Sequence, residues 1–138
     1  MFLLDTSIWL EMLLAQERAD EAERLLRQIE PSRGFMSQFT LYSLGIILFR
    51  FQRHDAFLRL IEDVFRSGFG LVKLDVEDMP TVVEAARAFR LDFDDAYQYV
   101  AAEKHGLILV SFDADFDRTP RGRRTPAQVL AALAAGGS

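Results

Sequence analysis

Cysteine is absent from the 138 residues of the chain. No disulfide scaffold, thiolate zinc site or Cys nucleophile can therefore exist, and the lack fits a reducing compartment. Histidine is scarce, with only His54 and His105. That thins the options for His-based triads and His-rich metal sites. No apolar run reaches the ~18 to 20 residues needed to cross a bilayer. The start, Met1-Phe2-Leu3-Leu4-Asp5, has no basic region and meets an acid at once, unlike a secretory signal. The expectation is a soluble, cytoplasmic protein with no membrane segment. Positive charge is in deficit: 16 Lys and Arg face 21 Asp and Glu, for a net charge of −5. Such a chain has no general attraction for a polyanion. To handle nucleic acid it needs a local basic patch, a bound cation, or both.

What the chain does have is apolar mass. Half of it is hydrophobic and twelve residues are Phe. A chain of this length buries about two-thirds of its unfolded surface, so whole-chain disorder is excluded. One domain over residues 1–133 is expected, with 134–138 as a flexible C-terminal tail. Short apolar runs alternate with helical periodicity. Strands are predicted at Phe2-Leu3-Leu4, Phe35-Met36-Ser37, Gly70 to Leu74 and Leu107 to Val110, with a weak fifth near Arg121 to Arg124. Helices are predicted near Ile8 with Ser7 as cap, over Ala19 to Ile29, Phe39 to Phe51, His54 to Gly68, Pro80 to Phe89, from Asp94-Asp95 to His105, and from Thr125-Pro126 onward. The alternation predicts an α/β fold with a mostly parallel sheet of four or five strands. The helix Phe39 to Phe51 is apolar nearly all round. That predicts burial on two sides, one of them against a second subunit.

Acids stand where such a sheet binds ligands. Asp5 ends the first strand, Asp113 follows the fourth by two residues, and Asp95 lies in the first turn of a helix. The carboxyl ends of parallel strands point to one edge. Asp5, Asp95 and Asp113 therefore converge if strands one and four are neighbours. Carboxylates are hard ligands suited to Mg²⁺ or Mn²⁺. Two such ions ~3.5 to 4 Å apart can drive phosphodiester cleavage without histidine or cysteine. Each Asp alone reads as an ordinary turn former or helix cap; the direction of three segments to one edge favours chemistry. Asp94 competes with Asp95, but adjacent helical residues point about 100° apart. Asp115 and Asp117 read as solvated loop acids.

These segments resemble the PIN-domain family. The likeness is carried by Leu3-Leu4-Asp5-Thr6-Ser7-Ile8-Trp9, by Asp95-Ala96 opening a helix, and by Leu109-Val110-Ser111-Phe112-Asp113-Ala114-Asp115-Phe116. It covers nearly the whole chain, and VapC-type toxins of toxin–antitoxin pairs are nearest in size. The resemblance implies a three-layer α/β/α sandwich and a Mg²⁺- or Mn²⁺-dependent endoribonuclease, often dimeric and often held by a small antitoxin. It assigns Asp5, Asp95 and Asp113 as catalytic and metal-holding acids, supported by Ser7 and Ser111. The family usually has a Glu in the helix after strand two, where this chain has Ser43. That departure motivates an alternative, a catalytically impaired PIN-like binding module.

Arg118, Arg121, Arg123 and Arg124 fall in one stretch just after the acids. They are candidates for RNA phosphates, for an acidic antitoxin or for plain solvation. Trp9, Phe93 and Phe112 flank the acids as stacking candidates, with buried packing as the ordinary alternative. His54 reads as a helix-start residue and His105 as a partner of a helix C-terminus. The partners expected are single-stranded RNA, a small antitoxin and a second copy through Phe39 to Phe51. Phosphoryl transfer on an aspartate is a weaker third class, because Ser7 stands where a second acid would be required.

Overall fold

The computed structural model describes residues 1–136. Four short strands, β1 (Phe2–Leu4), β2 (Gly34–Ser37), β3 (Gly70–Val72) and β4 (Ile108–Val110), form one sheet in the order β3-β2-β1-β4. All three pairings are parallel. The expected fifth strand reduces to a single bridge between Val110 and Arg124. Among the described residues seven α-helices flank the sheet: α1 (Thr6–Leu13), α2 (Ala19–Gln28), α3 (Gln38–Arg50), α4 (His54–Ser67), α5 (Met79–Phe89), α6 (Phe93–His105) and, after the last strand, α7 (Pro126–Ala134). The sheet is covered on both faces, which is why its strands read as unbroken apolar runs.

Strand alternation sorts the core into two layers. Leu3 and Leu109 face α5 and α6, where Val82, Ala85, Ala96 and Val100 are buried. Phe2, Leu4 and Val110 face the other way, onto Ile8, Trp9, Leu25, Leu44, Leu60 and Val129 of the remaining helices. The result is an α/β/α sandwich, as expected. Because β1 feeds β2 on one side and pairs β4 on the other, the strand order reverses between β1 and β4. Parallel sheets open a crevice at such a point.

Several local expectations need correction. Asp5, not Ser7, occupies the cap position of α1, and Ser7 lies within the first turn. Helix α6 begins at Phe93 under Asp92, whose side chain accepts from the Asp95 backbone N–H. Ala134, expected to open the tail, closes α7, and residues 135 and 136 form a turn. Residues 137 and 138 of that expected tail lie outside the described residues. One apolar stripe of α3, carrying Tyr42, Ile46 and Phe49, is uncovered in the single chain, with Tyr42 59% and Ile46 56% exposed.

Helix α3 is capped by Ser37, which accepts from the Thr40 backbone N–H at 3.0 Å. Helix α7 has the expected Thr125 cap followed by Pro126. Tight packing between β2 and β3 depends on Gly70: a Cβ there would sit 2.5 Å from Phe35 Cε1. Gly70→Ala should therefore destabilise the fold by about 1 to 3 kcal/mol through overpacking. Urea denaturation measures it, and an unchanged midpoint would refute the close-packing account.

Candidate functional site

Asp5 leaves the end of β1 anchored by its backbone N–H, which donates to the Val110 carbonyl at 2.9 Å. The residue is only 5% exposed. Oδ2 accepts from Ser111 Oγ at 2.6 Å and from Ser7 Oγ at 3.0 Å. Oδ1 accepts from Gln98 Nε2 at 3.1 Å. Gln98 is buried one turn after Asp95, and its amide also donates to Thr40 Oγ1 at 2.7 Å. Thr40 and Thr6 share a further hydroxyl contact at 2.8 Å. This network joins β1, α1, α3, α6 and the end of β4 around one carboxylate. Burial nevertheless raises the Asp5 pKa, against the pull of the Ser111, Ser7 and Gln98 bonds.

The acids expected to converge do so. Asp5, Asp95 and Asp113 line one open cavity of about 470 Å³ together with Ser43, Asp92, Asp94 and Asp115. Within it, carboxylate oxygens of Asp95, Asp113 and Asp115 lie within 4.8 Å of one another. Asp115, read from sequence as a solvated loop acid, thus joins the group. Asp5 lies behind the group as its buried neighbour. Asp94 lines the cavity without joining the close trio. Its pKa is raised by partial burial and by Asp92.

Asp95 carries the electrostatic strain. Partial desolvation and the charges of Asp113, Asp92 and Asp5 push its carboxyl up to about 8. A helix start normally stabilises an anion, and here that effect is overcome. Three hard oxygen donors with no sulfur or imidazole suit Mg²⁺ or Mn²⁺. The residues present therefore fit a divalent cation, although Ser43 contributes a neutral hydroxyl where a fourth acid would strengthen the seat.

The arginines do not form one patch. Arg118 donates to the Phe89 and Arg90 carbonyls and to Asp115 Oδ1. Arg121 donates to the Leu107 carbonyl at 3.0 Å, and Arg123 to the Ser111 carbonyl and to Asp117. Arg121, Arg123 and Arg124 line a separate cavity of about 340 Å³ beside β4. Only Arg118 directly engages an acid of the trio. Among the aromatic candidates, Trp9 is core and donates to the Leu4 carbonyl. Phe112 is half-buried beneath the Arg18 guanidinium. Phe93 is 52% exposed and packs edge-on against Phe39.

Sequence reasoning missed Gln98, Thr6, Thr40 and Asp115. The first had a signal, since a residue three after Asp95 shares its helix face. Asp115 had one too, two positions beyond Asp113 in a short turn.

The PIN domain family model matches residues 2–122. The chain belongs to the PIN-domain family. Solved structures share this PIN fold. One is a toxin–antitoxin complex from Klebsiella pneumoniae, at 23% identity and TM-score 0.72, with 91% of this chain and 98% of that one covered. Another is the sarcin–ricin loop cleaving toxin VapC20 from Mycobacterium tuberculosis, at 20% identity and TM-score 0.72, covering 85% and 93%. A third is FitAcB from Neisseria gonorrhoeae, at 17% identity and TM-score 0.71, covering 92% and 99%. At these identities the likeness attests the fold. No curated protein matches by sequence. No helix among the described residues is long and apolar enough to cross a membrane.

The PIN-domain site should depend on its amide. Gln98→Leu strips Asp5 Oδ1 of a buried donor and should cost about 1 to 3 kcal/mol of stability. Urea denaturation at neutral pH checks this; a variant as stable as wild type would show the amide to be dispensable.

Proposed function

We propose that this PIN domain is a divalent-cation-dependent endoribonuclease that hydrolyses phosphodiester bonds of single-stranded RNA, acting as the toxin of a toxin–antitoxin pair. The observation that carries the reading is the trio of carboxylates within 4.8 Å, around an Asp95 that resists ionising. Such a group is unfavourable by itself and becomes favourable when a cation offsets its charge. Asp95 and Asp113 would hold Mg²⁺ or Mn²⁺, with Asp5 adding fixed negative charge behind them. A bound cation there would supply Lewis acidity toward a phosphodiester and a readily ionised water. Ser7, Ser111 and Gln98 orient Asp5. The Asp113 backbone N–H donates to Ser111 Oγ at 2.9 Å, so one hydroxyl aligns both acids.

The Klebsiella structure of the same fold is a toxin–antitoxin complex, and that supports the toxin reading. A small antitoxin is the partner expected, and RNA the substrate. Arg118, Arg121, Arg123 and Arg124 follow Asp113 and Asp115 closely in sequence, but bonds to carbonyls and acids make a positioning role the better reading for the first three. The open stripe of α3 supports self-association as a homodimer. A second reading, a catalytically impaired module, is favoured by one observation: the neutral Ser43 lines the acidic cavity.

Cleavage of end-labelled single-stranded RNA decides between them. Mn²⁺-dependent cleavage should appear, vanish with chelator, and fall by roughly a hundredfold or more in Asp113→Asn. Cleavage indifferent to chelator would refute the proposal. An inactive wild type that gains cleavage on Ser43→Glu would establish the impaired module instead.

A further inference from the structure

We infer that Asp115 replaces the carboxylate missing at Ser43, so that the cation seat of this chain is built from Asp95, Asp113 and Asp115 and is displaced toward the loop after β4. The inference deepens the cation-dependent reading above and rests on it. Four observations carry it. Ser43 on α3 reaches the cavity with only a hydroxyl, a weak ligand for a hard cation. Asp5, the acid nearest the core, spends both oxygens on donors from Ser7, Ser111 and Gln98 and lies outside the group whose oxygens approach within 4.8 Å.

Asp115 lies inside that group, and its placement is built. Its backbone N–H donates to Asp113 Oδ1 at 2.8 Å, which locks Asp113-Ala114-Asp115 into one turn with both carboxylates on the cavity. Its own Oδ1 accepts from Arg118 Nη1 at 3.1 Å. Arg118 in turn is fastened to the carbonyls of Phe89 and Arg90, at the end of α5. A surface carboxylate ordinarily loses rotamer freedom when it binds a cation. Here the turn and the arginine impose that order beforehand. The net effect preserves three close carboxylates in a chain that has a serine at the family's usual acidic position.

Mn²⁺ titration by calorimetry, with electron paramagnetic resonance of free Mn²⁺ as a second readout, tests the assignment on the whole chain. Wild type should bind saturably. Asp115→Asn should weaken binding by roughly tenfold or more, and adding Ser43→Glu to it should recover most of the loss. The Asp115 side chain is 52% exposed, so the variant should melt as wild type does. Asp117→Asn, an exposed acid of the same turn paired with Arg123, should bind nearly as wild type. Unchanged affinity in Asp115→Asn, with binding lost in Asp113→Asn, would overturn the inference and leave the cation reading standing. Equal losses in Asp115→Asn and Asp117→Asn would overturn it too, because general charge would then explain both. A wild type that binds no Mn²⁺ would instead remove the reading beneath it.

Discussion

Mutual repulsion among carboxylates is the constraint around which this molecule is organised. Two unit charges within 4.8 Å repel by roughly 3 to 4 kcal/mol at an effective dielectric near 20. Solvent screening lowers that for the exposed Asp115, but Asp95 is half-buried and feels three other acids. A domain's whole net stability is only about 5 to 15 kcal/mol. The arrangement therefore has to be held by the rest of the fold, and it is relieved by a proton or a cation.

The holding is distributed. Parallel pairing of β1 with β4 places Asp5 and Ser111 side by side at one rim. The Ser37 cap begins α3 so that Thr40 reaches Gln98. The Asp92 cap begins α6 so that Asp95 and Gln98 face inward on successive turns. Arg123 grips the Ser111 carbonyl from outside, at the base of the turn bearing Asp113. Each tie is a modest hydrogen bond, and those beneath buried Asp5 cannot be lost without stranding a polar atom away from water.

Much of this was legible in sequence because it follows from chain-local chemistry. Short apolar runs marked β1 and β4, with Asp5 directly after the first and Asp113 shortly after the second, and the alternation of periods marked the layered fold. Asp5, Asp95 and Asp113 were legible as a set because parallel strands share one carboxyl edge. The helix starts were less so. Asp92, Asp94 and Asp95 are all competent caps; Asp92 takes the role by accepting from the Asp95 N–H, while Phe93 and Tyr97 pack against Phe39. Ser7 and Ser111 were legible beside Asp5, but the Gln98–Thr40 part of the network was hidden, because these residues are 58 apart in the chain and such pairing leaves no local pattern. The separation of Arg118 from Arg121, Arg123 and Arg124 was not legible, since the guanidinium groups of Arg118, Arg121 and Arg123 are aimed by carbonyls and acids that they meet only in the fold. The fifth strand is cut short because Gly122 turns the backbone at φ 63°, leaving Arg124 as the residue of that stretch with a ladder contact, to Val110.

The carboxyl resonance of Asp95, followed by ¹³C NMR across pH without divalent cations, examines the central claim most directly. The account predicts titration near 8 in wild type, moving down toward the ordinary carboxylate range when Asp113 is replaced by Asn, since one repelling charge is then removed. An Asp95 that already titrates near 4 in the wild-type protein would contradict it.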